Sequence, residues 1–218
     1  MELAARALTL AFGAVTALDG VTLAVAPGDR LLLYGPAGGG KTSLLKCLAG
    51  LVRPTAGQVT WGGRDVAALS PVARRAAQVA FGMVFQTDAL FDSMTVLDNV
   101  LLPLRKRGVA EGEAKARALE ALDRVGLRDA ALQRPEVLSG GMKKRAGVAR
   151  AIVARPAVLL ADDPFAGLDP VTEGSIAALL LEVSAGRSLI VALPDPVASL
   201  PIERRLRLVD GRPLVAPG

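Results

Sequence analysis

The chain alternates between two hydrophobic rhythms. Near the N-terminus the step is two: residues 7–12 and 21–25 set apolar positions against small or polar ones, with Gly13 as the joint. These stretches predict paired strands. Pro27, Gly28 and Asp29 form a turn, and the apolar run RLLLY, Arg30–Tyr34, predicts a short buried strand that runs into glycines. Residues 41–49 take helical spacing and stop at Gly50. Residues 58–61, ahead of Gly62 and Gly63, read as a strand returning to the N-terminal sheet. Residues 79–85 give one more strand.

The middle of the chain changes period. In EGEAKARALEALDRV, residues 111–125, Ala118, Leu119, Leu122 and Val125 share one helical face, and Gly126 ends it. A second helix is expected from Ser139 to residue 154, before Pro156. Strand and helix then alternate over residues 157–161, 172–184 and 189–193, with a last strand at Arg205–Val209. Strands at both ends with helices between predict an α/β sheet carrying a helical insertion at about 87–155, in one domain spanning 1–218 (core 1–86 and 156–218).

Composition narrows the class. Of 218 residues, 51% are apolar and 3% aromatic, so a packed core of Ala, Leu and Val is expected rather than disorder. The net charge of +5 comes from short scattered runs, Arg74-Arg75, Arg105-Lys106-Arg107 and Lys143-Lys144-Arg145, which read as solvated faces. Without a basic groove interleaved with aromatics, no nucleic-acid partner is expected. Cys47 is the single cysteine, set among Leu44, Leu45 and Leu48, and it reads as core in a reducing compartment. Histidine is absent, which removes the commonest general base and metal ligand. Neither a leader nor a run near the ~20 apolar residues of a bilayer span is present, so a cytoplasmic protein is expected.

The chemistry concentrates in three motifs. GPAGGGKT places Gly35, Pro36, Ala37, Gly38, Gly39, Gly40, Lys41 and Thr42 between a buried strand and a helix, with Ser43 next. Glycines there let backbone N–H groups turn inward around phosphate oxygens, and the helix start adds its dipole. Lys41 is expected on the β- and γ-phosphates of a nucleoside triphosphate, and the Thr42 hydroxyl on Mg²⁺. In VLLADDPF an apolar strand ends on Asp162, expected to reach Mg²⁺ through water, with Asp163 beside it. In LSGGM, Ser139 is a good helix N-cap, and Gly140 and Gly141 expose the first-turn amides.

These motifs, in this order and with GLD at residues 167–169, resemble an ABC-transporter ATP-binding subunit over essentially the whole chain. The resemblance implies a P-loop NTPase of the α/β class: a RecA-like core, an N-terminal antiparallel β-subdomain and an inserted helical subdomain. It implies ATP and Mg²⁺ as cofactors and an ATPase coupled to transport. Gln86 falls where the family has a glutamine touching Mg²⁺ and the attacking water, and Phe12 where an aromatic stacks on adenine. The working unit is then a head-to-tail dimer, expected to be a homodimer, in which Ser139 faces the partner's ATP. A membrane permease should dock near Ala89, Phe91, Met94 and Val96, in what reads as an apolar loop. That places the subunit on the cytoplasmic face of the inner membrane. FQTDALFDSMTVLDNVLLPLR from Gln86, the Met of LSGGM and DDPFAGLDPVT further resemble the Mla-type phospholipid-transport ATPases.

Two positions depart from the family. Its members carry glutamate where Asp163 stands, and a histidine where Pro194 precedes Asp195. A carboxylate shortened by one methylene, together with a residue lacking donor, charge and N–H, predicts retained binding and slow turnover. The alternative is a degenerate subunit that clamps on ATP without hydrolysing it. The chain reaches Gly218 soon after its last strand, so no regulatory domain is expected.

Overall fold

The computed structural model describes residues 1–87 and 89–214. Two sheets organise it. The first is antiparallel, in the order β2-β1-β4-β5, built from β1 (Leu3–Phe12), β2 (Val15–Val25), β4 (Ala56–Trp61) and the two-residue β5 (Arg64–Asp65). The second runs β10-β9-β3-β8-β7-β6, from β3 (Arg30–Tyr34), β6 (Phe81–Val84), β7 (Val158–Asp162), β8 (Ser188–Leu193), β9 (Arg205–Val209) and β10 (Arg212–Leu214). All its pairings are parallel except β10 with β9.

Burial on both faces explains why the parallel strands read as unbroken apolar runs. Leu159 and Ala161 of β7 join one core, while Val158 and Leu160 join the other. β8 splits likewise, with Leu189, Val191 and Leu193 on one face and Ile190 and Ala192 on the other. Between the two sheets lies α1 (Lys41–Leu48), which buries Leu44, Leu45, Cys47 and Leu48. Burial pushes the Cys47 thiol up to about 11, so the side chain is a core filler and not a nucleophile.

Over the other face sit α3 (Val96–Arg105), α4 (Glu111–Arg124), α5 (Gly140–Ile152) and α6 (Pro170–Val183). The first three interrupt the sheet between β6 and β7. An eight-residue helix, α2 (Pro71–Gln78), precedes β6. No helix among the described residues is long and apolar enough to cross a membrane.

The structure corrects the apolar loop expected around Phe91, Met94 and Val96. Thr95 caps a helix there: its Oγ1 accepts from Asp98 N at 3.1 Å and donates to Asp98 Oδ2 at 2.6 Å. Val96 is the first helical residue and fully buried, so it cannot belong to a docking surface. Phe91 is exposed and Met94 half-buried. Asn99, fully buried, holds the segment ahead of the helix. It accepts from Phe91 N at 2.7 Å and donates to Phe91 O at 3.1 Å and Thr95 O at 2.9 Å.

Candidate functional site

Parallel pairing aligns the carboxyl ends of β3, β7 and β8. Tyr34 lies opposite Leu193, and Asp162 opposite Ala192, so the segments leaving these strands share one edge of the sheet. From Tyr34 the chain makes the glycine-rich loop and enters α1. Two glycines there are dictated by contact. A Cβ on Gly35 would fall 2.0 Å from the main-chain oxygen of Leu208, and one on Gly40 would fall 2.4 Å from that of Ala17. Gly35 also has a φ of +142°. Gly35→Ala is therefore expected to destabilise the fold by roughly 2–4 kcal/mol, because neither backbone can give way. Chemical denaturation checks it.

Gly40, the N-cap of α1, supplies no side-chain hydrogen bond. The first-turn amides thus face a cavity of about 150 Å³ bounded by Ala17 and residues 38–43. Into this region comes Lys41, whose Nζ donates to the carbonyls of Gly35 at 2.6 Å and Pro36 at 2.8 Å. Burial lowers its pKa, opposed by the charges of Asp163, Asp162 and Asp195. Uncapped amides, an ammonium held on carbonyls and a glycine cradle form a donor set for a polyphosphate.

The two aspartates meet different partners. Asp162 is buried and accepts from Thr42 Oγ1 at 3.0 Å; burial raises its pKa, against the Thr42 bond and the charges of Lys46 and Lys41. Asp163 accepts from Gln86 Nε2 at 3.3 Å. Burial and then the Asp162 charge push its pKa up, while Lys144 and Lys41 pull it down. Adjacent carboxylates and a hydroxyl are hard oxygen donors that suit Mg²⁺. Among the described residues no group of three or more His, Cys, Asp or Glu could hold a metal alone. A cation at Thr42 and Asp162 would therefore need oxygens from the nucleotide, as Mg²⁺ commonly takes them.

The sequence-designated residues divide accordingly. Gly35 to Ser43, Gln86, Asp162 and Asp163 converge on one edge. Phe12, Ser139, Gly140 and Gly141 line no part of the loop cavity. Phe12 ends β1, exposed. Ser139, also exposed, caps α5 by accepting from Met142 N at 3.3 Å, and Gly140 has open space beside its Cα. Asp169 of GLD caps α6, accepting from Val171 N and Thr172 N. Pro194 keeps a backbone part, its carbonyl accepting from Gly35 N at 3.0 Å. Beside it opens a cavity of about 300 Å³, lined partly by Asp163, Leu193 and Asp195.

Two contributors were not singled out from sequence. The β9–β10 hairpin buttresses the loop, since Gly211 N donates to Gly39 O at 3.3 Å and Gly211 O accepts from Asp19 N at 2.9 Å. Its signal was the Asp210-Gly211 dipeptide between short apolar stretches. The other is Lys144, read as part of a solvated basic run but only 5% exposed. Period alone gave no sign of that burial.

The sequence model of the family described as ABC transporter matches residues 18–166. Among curated proteins, the methionine import ATP-binding protein MetN of Rhizobium etli is 40% identical over 209 residues, covering 95% of this chain and 58% of that protein. MetN of Thermobifida fusca is 44% identical over 179 residues, covering 82% and 56%. The chain thus spans less than two thirds of the curated relatives it matches. Among solved structures, the dimeric post-hydrolysis state of the ATP-binding cassette MJ0796 bound to ADP and Pi superposes with a TM-score of 0.87, at 29% identity and 99% coverage of both chains. The cbiO1 protein of Clostridium perfringens, part of the ABC transporter complex cbiONQ, gives 0.87 at 27% identity, covering 98% of this chain and 86% of that one.

Proposed function

The chain belongs to the ABC transporter family and has the P-loop NTPase fold, and from that premise we propose that it is a transporter's ATP-binding subunit, hydrolysing MgATP slowly. The observation that carries this is the convergence of Thr42 on Asp162 and of Gln86 on Asp163 beside the glycine loop. In this reading Lys41 leaves the Gly35 and Pro36 carbonyls for the β- and γ-phosphates, and the amides of residues 38–43 hold the remaining oxygens. Thr42 and Asp162 would hold Mg²⁺, which would supply charge neutralisation to the phosphates. Gln86 orients the attacking water and Asp163 polarises it, and Phe12 offers its face to the base. The shortened carboxylate and Pro194 make the step slow. A clamp that never turns over is the second reading, and the same two positions favour it.

Ser139, exposed at the start of α5, faces the nucleotide of a second subunit, itself a copy of this chain. The permease contact is Ala89, Phe91 and Met94, without Val96. The subunit sits on the cytoplasmic face of the inner membrane, and 87–155 acts as its helical subdomain. For the cargo, the segment from Gln86 to Arg105 and the Met of LSGGM support phospholipid. The names of the curated relatives support methionine instead.

ATP-dependent dimerisation and steady-state phosphate release test the whole. Wild type should dimerise with MgATP and turn over slowly, while Ser139→Arg should bind MgATP as a monomer but not dimerise. Dimerisation without measurable turnover would establish the clamp; no dimer with ATP would sink both readings. With the co-purified permease, stimulation by phospholipid or by methionine decides the cargo.

A further inference from the structure

α5 does more than present Ser139. Along its length two cations reach back to the main chain of the segment that carries Gln86. Lys144 donates from Nζ to the carbonyl of Gln86, and Arg150 donates from Nη1 to the carbonyl of Ala89 at 2.6 Å. The first part of the segment after β6 is thus held from α5 at two carbonyls, those of Gln86 and Ala89. From it the Gln86 side chain extends to Asp163 on the far side, at 3.3 Å. One continuous chain of contacts results: the start of α5, Lys144, Gln86, Asp163.

The ammonium of Lys144 is buried against the Gln86 carbonyl, and the Asp163 carboxylate attracts it. A charged group 5% exposed costs several kcal/mol of desolvation unless its bonds return that energy. An apolar side chain at this position would carry no such cost. Removing one partner of a buried, hydrogen-bonded charge is costly, so such a charge resists displacement of the backbone it bonds. The geometry fixed here is that of the backbone bearing Gln86.

We propose that Lys144 is a positioning residue that holds Gln86 against Asp163 and ties that contact to α5. The role in turnover rests on the ATPase reading above; the positioning itself does not. A shift of the Gln86 backbone would move its amide off the carboxylate, and displacements of about 1 Å at a reacting centre can cost on the order of 10²-fold in rate.

The experiment compares the full chain with Lys144→Met, which removes the donor, and Lys144→Arg, which keeps a charged donor. Lys144→Ala, which also lacks the donor, serves if the Met variant does not fold. Amide hydrogen exchange over residues 84–90 should rise severalfold in Lys144→Met and stay near wild type in Lys144→Arg, with exchange of the P-loop unchanged. Turnover in Lys144→Met should fall roughly tenfold or more with KM for MgATP within about twofold, and Lys144→Arg should recover most of it. Unchanged exchange at 84–90 in the neutral variant overturns the proposal. So does unaltered kcat alongside an active wild type. A wild type without turnover defeats the ATPase reading alone, and exchange then decides the positioning role by itself.

Discussion

Lys41→Ala should fail to bind MgATP, with Kd raised roughly 10²-fold or more if a charge-assisted pair of about 3 kcal/mol is lost. The Lys41 ammonium lies on the loop carbonyls, at 2.6 and 2.8 Å. Those carbonyls hold the ammonium at the mouth of the loop, where phosphate oxygens would replace them. Burial already lowers its pKa, and an incoming polyphosphate would reverse that push by surrounding the ammonium with negative charge. The fold should survive, because α1 is anchored by Leu44, Leu45 and Leu48 rather than by Lys41. Calorimetric titration with MgATP checks it, and a Kd within threefold of wild type would remove the P-loop from the binding site.

Much of the loop's geometry is legible in the sequence, for a physical reason. A phosphate cradle needs glycines, an ammonium and a hydroxyl at fixed spacing on a strand–loop–helix unit, and spacing survives in a linear sequence. The buried strands were equally plain: Arg30–Tyr34 and Arg205–Val209 were read to the residue. What escaped gave a weaker signal. α2 is only eight residues long and buries none of them, although Ser70 ahead of Pro71 is a start signal. α3 fails in the opposite sense: VLDNVLLPLR is apolar nearly all round, its buried polar residue is Asn99, and Pro103 lies inside it. A loop reading followed, and with it the misplacement of Val96. The N-terminal hairpin was read short because β1 is irregular near Ala7, where φ is +45° and the register with β2 shifts. Ser139 was recognisable as a cap, but its proposed target belongs to another subunit and no single chain displays it.

The double change Asp163→Glu with Pro194→His should raise turnover by roughly 10²-fold or more, as a positioned base and an electrostatic donor are restored together. The surroundings admit both side chains. The cavity of about 300 Å³ beside Asp163 and Pro194 has room for an imidazole. The contact from Gly35 N goes to a main-chain oxygen, which histidine retains. The backbone introduces a condition that the residue types alone did not. Asp163 has φ +43°, in the left-handed region, where aspartate is tolerated better than longer side chains. Glutamate there costs on the order of 1 kcal/mol, so Asp163→Glu alone should gain less than the pair and lower the melting temperature slightly. Gln86, now bonded to Asp163, must also yield to the longer carboxylate, which a rise in KM for MgATP would betray. In the proposed dimer both departures would belong to the half-site that a chain supplies to its own nucleotide, and LSGGM would serve the other. In a homodimer the double variant therefore repairs two sites at once, and steady-state phosphate release from the isolated protein should show the full increase. In a heterodimer the intact partner already hydrolyses against this chain's Ser139, and the isolated variant should gain nothing. No increase, together with co-purification of a second ATP-binding subunit carrying the glutamate and the histidine, would overturn the homodimer.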